Sequence, residues 1–205
     1  MNKNQQDKLV PRKEEGKHNE VDERLICNNR IDALQIFDRA VDKLLDINSW
    51  QSTADTSGSS AEFVLKDENG QSLFELPKKG NYIQIDIPGP GSKSGNGYDW
   101  VRIEEIIDQR DSAAENELVG FMVRPCSNPT KKENKTAHFF TEEATSTFII
   151  ERKSEIIYSR YFGRNEMINH ETNMTDKVRN SLIGLAAKLG FSEIQWRSLI
   201  KGFLK

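Results

Sequence analysis

The chain has 205 residues, with 29 Lys and Arg against 32 Asp and Glu and a formal charge of -3. That length supports one domain with a real core, and the lack of a basic excess argues against nucleic acid, whose binding needs a concentrated cationic footprint. There is no apolar leader and no run of eighteen apolar residues, and Cys27 and Cys126 lack C-x-x-C spacing, so a cytoplasmic protein with reduced thiols and no membrane contact is expected.

Charged residues make up 30% of the chain and the mean hydropathy is -0.69, polar enough that part of it should lie outside the core. Residues 1–25, rich in Lys, Glu, Asn and Gln, are that part. They bury too little to offset their ordering entropy, and a disordered charged tail is expected before a single domain over 26–205.

From Asn29 onward, Leu34, Phe37, Val41, Leu44 and Leu45 recur at helical spacing, which predicts an amphipathic helix over 30–47 with Asn29 as N-cap and Asp32 in its first turn. Ser49–Ser60 reads as a loop whose start Trp50 pins to the core. Ala61–Lys66 and Ser72–Leu76 flank Asp67-Glu-Asn-Gly70 as a hairpin, since the Asn-Gly step supplies the positive φ of a tight turn. Tyr82–Ile87 alternates with period two. Tyr98–Ile107, Leu118–Arg124, Thr145–Glu151 and Ile156–Phe162 complete seven strands, joined too closely for helical crossovers and hence mostly antiparallel.

Val178, Leu182, Leu185, Ala186 and Leu189 form a helical stripe ending at Gly190. Ser192-x-x-Gln195 then has capping-box spacing, with Phe191 and Trp196 at staple positions. The last helix, 193–203, is expected to bury Ile194, Leu199, Ile200 and Phe203. Helices at both ends of an antiparallel sheet make an α+β domain, and the order permits a curved sheet wrapped on a C-terminal helix, as in helix-grip domains.

Gly89-Pro-Gly-Ser-Lys-Ser-Gly-Asn-Gly97 resembles a phosphate cradle but fits neither nucleotide motif. Lys93 follows no closing glycine, and the loop leads into a strand where a dinucleotide fold needs a helix. It reads as a strand connection, and no cofactor is expected. Trp100 and Arg102 share one strand face and could line a cleft wall. In Arg124-Pro-Cys126-Ser-Asn-Pro129 a cation and a thiol sit between prolines at a strand end; a reactive Cys126 would need Arg124 or His138 to lower its pKa. His138 has Glu142 and Glu143 nearby in sequence for acid–base work, but His18 and His170 offer no metal-ligand spacing. Arg164 and Asn165, after the last strand, could orient an anionic or polar ligand or cap the connection that follows.

PGPGSKSGNGYDWVRIE, HFFTEEATSTFIIER and GFSEIQWRSLIKG, within residues 60–205, resemble small uncharacterised bacterial proteins, and the resemblance implies no activity. The reading that follows from the residues is a non-enzymatic module binding a small molecule or a protein partner through its sheet, with Trp100, Arg102, Arg124, His138, Arg164 and Asn165 as ligand contacts. Two alternatives stand beside it: a small enzyme using Cys126 or His138 with a carboxylate such as Glu142, and a structural or interaction subunit tethered by its tail.

Overall fold

A computed structural model describes residues 8–54, 61–87, 92, 94–169 and 193–205. Strand β1 (Lys17–Ile26) precedes helix α1 (Arg30–Leu45), a 3-10 turn (Ile47–Ser49) and the one-turn helix α2 (Trp50–Thr53). Strands β2 (Glu62–Lys66), β3 (Tyr82–Asp86), β4 (Asp99–Gln109), β5 (Asn116–Pro125), β6 (Thr145–Lys153) and β7 (Ile156–Glu166) follow, and helix α3 covers 193–203. The seven strands form one antiparallel sheet in the order β1-β7-β6-β5-β4-β3-β2. The α+β class expected from the element order is the one that forms.

Alternation along the strands separates two faces. Phe63 and Leu65, Ile83 and Ile85, Val101 and Ile103, Phe121 and Val123, Phe148 and Ile150, and Ile157 and Tyr161 join Phe37, Val41, Leu44, Trp50, Leu199, Ile200 and Phe203 in one core. Helix α1 begins as the residues dictate, with the Asn29 side chain accepting from the Asp32 N–H at 2.9 Å. Trp50, 1% exposed, is the hub of this core: its ring meets Phe63, Phe121, Phe148 and Phe203, and its indole N–H donates to the Leu44 carbonyl at 3.0 Å.

The sheet is strongly curled. Strands β2 and β7 are five positions apart, which in a flat sheet is roughly 24 Å at about 4.8 Å per strand. Yet Trp196 of α3 lies 5.9 Å from Phe63 on β2 and 5.3 Å from Tyr161 on β7. The inner face therefore wraps around α3, the curved arrangement that the element order permits. A β-bulge between Ile103 and Glu105 in β4 increases the local bend.

Several expectations are corrected. The segment 1–25 is not wholly an unstructured tail: Lys17–Ile26 is a ten-residue strand, and Leu9 is fully buried on the outer face against Leu118, Ile149 and Phe162. Its polarity hid the strand, because only Val21 is buried and its other side chains meet water or charged neighbours on β7, as in Asp22–Arg160 at 2.5 Å and Glu20–Arg164 at 2.6 Å. The Asp67–Gly70 turn forms, with Asp67 Oδ1 accepting from Asn69 and Gln71 and Gly70 at φ +75. Its expected second strand does not: Ser72–Leu76 contributes one bridge, Lys66 with Ser72, and β2 pairs with β3 instead. Phe74 and Leu76 are 89% and 61% exposed, so no buried face drives a strand there. In α3, Ile194 faces solvent and Gln195 is buried. The helical stripe from Val178 to Leu189, the cap at Gly190 and the pairings of Phe191 and Ser192 lie outside the described residues.

Candidate functional site

Two cavities matter, one on each face of the sheet, and they share no lining residue. The outer one is an open groove of about 530 Å³ formed by Tyr82, Arg102, Glu104, Arg124, Pro125 and Cys126, with Glu142, Glu143 and the 127–136 loop as its rim. Arg102 and Arg124 are register partners across β4 and β5 and therefore share a face at close range. Arg124 Nη1 donates to the Glu142 carbonyl at 2.8 Å, while Arg102 lies 6.0 Å from the Tyr82 ring and 4.0 Å from Glu104.

The inner cavity lies between the sheet and Gln195 and Trp196 of α3. Phe63, Ile85, Ile87, Phe139, Phe140 and Trp196 supply apolar walls; His138, Ser146, Tyr161 and Gln195 supply polar groups. Its volume is about 30 Å³, room for about one water. Ser146 and Tyr161 share a hydroxyl contact of 3.1 Å, and the Tyr161 hydroxyl donates to Glu166 at 3.3 Å. Glu166 reaches this hydroxyl because residue 163 is glycine; a Cβ there would overlap its carboxylate. Burial pushes the Tyr161 phenol well up, and it also raises the Glu166 carboxyl above its usual range. Gln195, 2% exposed, accepts from the Ala61 N–H at 3.3 Å through Oε1, and its buried Nε2 has no hydrogen-bond partner among the described residues.

The expected site residues are dispersed. Arg102 and Arg124 meet in the outer groove. Trp100 belongs to the same face by register but is only 3% exposed, with its indole N–H donating to the Gly95 carbonyl at 3.3 Å beneath the β3–β4 connection. The tip residue of that connection, Lys93, lies outside the described residues. His138 stands in the inner cavity, stacked on Phe139 at 4.5 Å, and its Nδ1 accepts from the Phe140 N–H at 2.9 Å. That bond requires an unprotonated Nδ1.

Arg164 and Asn165 hold the N-terminal segment. Arg164, 5% exposed, stacks on Phe162 at 5.2 Å and reaches Glu20. Asn165 adopts φ +55, and its Oδ1 accepts from the Glu14 N–H at 2.9 Å.

The enzymatic pairing of Cys126 with His138 does not form, because the thiol lines the outer groove and the imidazole the inner cavity. Glu142 lines the outer groove and not the cavity that holds His138. Burial pushes the Cys126 thiol up to about 12 despite the Arg102 charge, so a thiolate is scarce at neutral pH. Among the described residues, no group of three or more His, Cys, Asp or Glu is placed to hold a metal ion, and no helix is long and apolar enough to cross a membrane.

Sequence reasoning missed Ser146, Tyr161 and Gln195. Gln195 carried a signal, a polar residue between Ile194 and Trp196 at the head of an apolar helix, but it fitted a capping box equally well.

No protein-family model matches the chain, and no curated protein matches it by sequence. Among solved structures, the chain is similar to Ara h 8.0201 at 10% identity, covering 89% of this chain and 99% of that one with a TM-score of 0.33. For ginseng major latex-like protein 151 from Panax ginseng the identity is 13%, the shares are 87% and 99%, and the TM-score is 0.36. For norcoclaurine synthase from Thalictrum flavum, in complex with dopamine and hydroxybenzaldehyde, they are 10%, 88% and 86%, and 0.32.

Proposed function

We propose that the protein is a non-enzymatic binding module that takes a small, largely apolar molecule on the inner face of its curled sheet, against Gln195 and Trp196 of α3. The observation that carries this reading is the Gln195 amide, whose Nε2 is buried without a partner among the described residues, beside an aromatic-lined cavity. A buried donor left unmade costs about 1–3 kcal/mol, which an acceptor delivered into the cavity recovers. The Ser146–Tyr161 hydroxyl pair and His138 add polar groups to one small apolar space, the composition typical of ligand pockets. Because that space holds about one water, a larger guest must displace Trp196, which is only partly buried and stands two residues from solvent-facing Ile194.

The test is a thermal-shift and tryptophan-fluorescence titration with small phenols and aromatic ketones. A ketone that binds should raise the melting temperature in a concentration-dependent way, with stabilisation of about 2.7 kcal/mol at a hundredfold excess over Kd. Trp196→Ala should bind larger members of the series, and Gln195→Leu should lose the preference for ketones over matched hydrocarbons. A flat response from both the native chain and the enlarged Trp196→Ala variant refutes the proposal.

A further inference from the structure

We propose that the outer groove is a second site, independent of the inner cavity, and that it receives a small zwitterion of amino-acid or dipeptide size, its carboxylate between Arg102 and Arg124 and its ammonium against the acidic rim. Like charges placed directly opposite on neighbouring strands disfavour a sheet, yet Arg102 and Arg124 occupy such a pair. A guanidinium carries five N–H donors. Of the two sets, one donor is used in a hydrogen bond among the described residues, from Arg124 to the Glu142 carbonyl. The Arg102 contact with Glu104 is long at 4.0 Å, so its fork is left facing the groove. Two forks on one face suit a carboxylate, which accepts bidentate pairs.

The rim excludes a simple anion site. Glu104, Glu142 and Glu143 line the same space, giving three carboxylates against two guanidinium groups. Glu143, exposed, is held below its usual range by its own backbone N–H and by the Arg124 charge, so it stays ionised. A dianion such as phosphate meets this negative rim, whereas a molecule carrying one carboxylate and one ammonium satisfies both halves. The floor is uncharged: Pro125 is buried beside the Cys126 thiol, which stays protonated at neutral pH. A volume of about 530 Å³ accommodates a dipeptide, and the Tyr82 ring beside Arg102 offers its side chain an apolar wall.

Isothermal titration of the full chain with alanylalanine, its C-terminal amide, its N-acetyl derivative, acetate and inorganic phosphate tests this. Alanylalanine should bind, and removing either charge should weaken it about tenfold or more. Arg102→Gln and Glu104→Gln should each lose a similar factor without a fall in melting temperature, since neither side chain makes a short hydrogen bond among the described residues and Arg102→Gln relieves the like-charge pair. Arg124→Gln is avoided because it also breaks the Glu142 contact. Binding of acetate or phosphate as tight as the dipeptide would reduce the groove to a plain anion patch and overturn the proposal. So would the absence of heat from alanylalanine at millimolar concentration, or an Arg102→Gln variant that binds it like the native chain.

Discussion

Replacing Leu9 by alanine tests whether the N-terminal segment belongs to the folded unit. Leu9 is fully buried, and Leu118, Ile149 and Phe162 surround it. It fits because residue 120 on β5 is glycine: a Cβ there would stand 3.2 Å from Leu9 Cδ1 and 2.6 Å from the Phe148 carbonyl. The Leu9 carbonyl also accepts the hydroxyl of fully buried Thr147 at 2.8 Å. Leu→Ala at such a site removes transfer free energy and leaves a cavity, typically about 2–5 kcal/mol. The segment could instead lift away, which caps the loss at its docking free energy, but Asn165 and Arg164 still hold residues 12–20. We therefore expect about 2–3 kcal/mol, the lower part of that range. Urea unfolding with a shared m-value measures it, and deletion of residues 1–15 sets the upper bound. A loss below about 0.5 kcal/mol, ordinary for an exposed position, would mean that the segment does not dock and would refute the reasoning.

The Arg152–Glu117 pair is buried on both sides, 0% and 3% exposed, at 2.6 Å, and Arg152 also donates to the carbonyls of Ala114, Glu115 and Ser154. Glu117→Gln leaves that cation without its counter-charge and should cost about 3–5 kcal/mol, while the double change Arg152→Met with Glu117→Leu should cost less than the sum of the singles in chemical unfolding; strict additivity would show that the two residues are not coupled. Glu166 gives a pH signature. Its native pKa is raised above the usual 4.5, mainly by burial. Its contribution to stability is thus fully present below the unfolded pKa and is lost as pH rises through the native one, so stability should fall as pH climbs from about 4.5 through the raised native value. Glu166→Gln should flatten that part of the stability–pH curve, and an unchanged curve would show that burial does not control this carboxyl.

The elements that sequence patterns made legible are those whose burial is one-sided and dense. In α1 the apolar residues recur because one stripe faces the core, and β3 to β7 announce themselves through runs such as Ile83-x-Ile85 and Phe148-Ile-Ile150. Strand β1 was not legible because its partner, β7, supplies its hydrogen bonds and countercharges, and alternation of hydrophobicity records only burial. Ser72–Leu76 misled for the converse reason, since Phe74 and Leu76 have strand-like chemistry but no surface to cover. The site residues divide similarly. Arg102 and Arg124 read as ligand contacts and do share a groove, but Arg164 and Asn165 carry the same chemical signature while fastening the chain's own N-terminal segment. Charge and amide type alone cannot distinguish a partner within the chain from one outside it.

The polarity of β1 has a practical meaning for handling the molecule. Strand β7 carries Ile157, Tyr158, Tyr161 and Phe162, and in the folded protein its outward hydrogen-bonding groups are occupied by Lys17–Ile26. β1 in turn presents Lys17, Glu20, Asp22, Glu23 and Arg24 at the rim of the sheet, and charge of this density discourages another chain from adding there. A polypeptide begun at residue 26, as a hydropathy-guided domain boundary would suggest, trades that repellent border for an adhesive one. Its expected failure is intermolecular strand addition and precipitation during expression, before any loss of helical content.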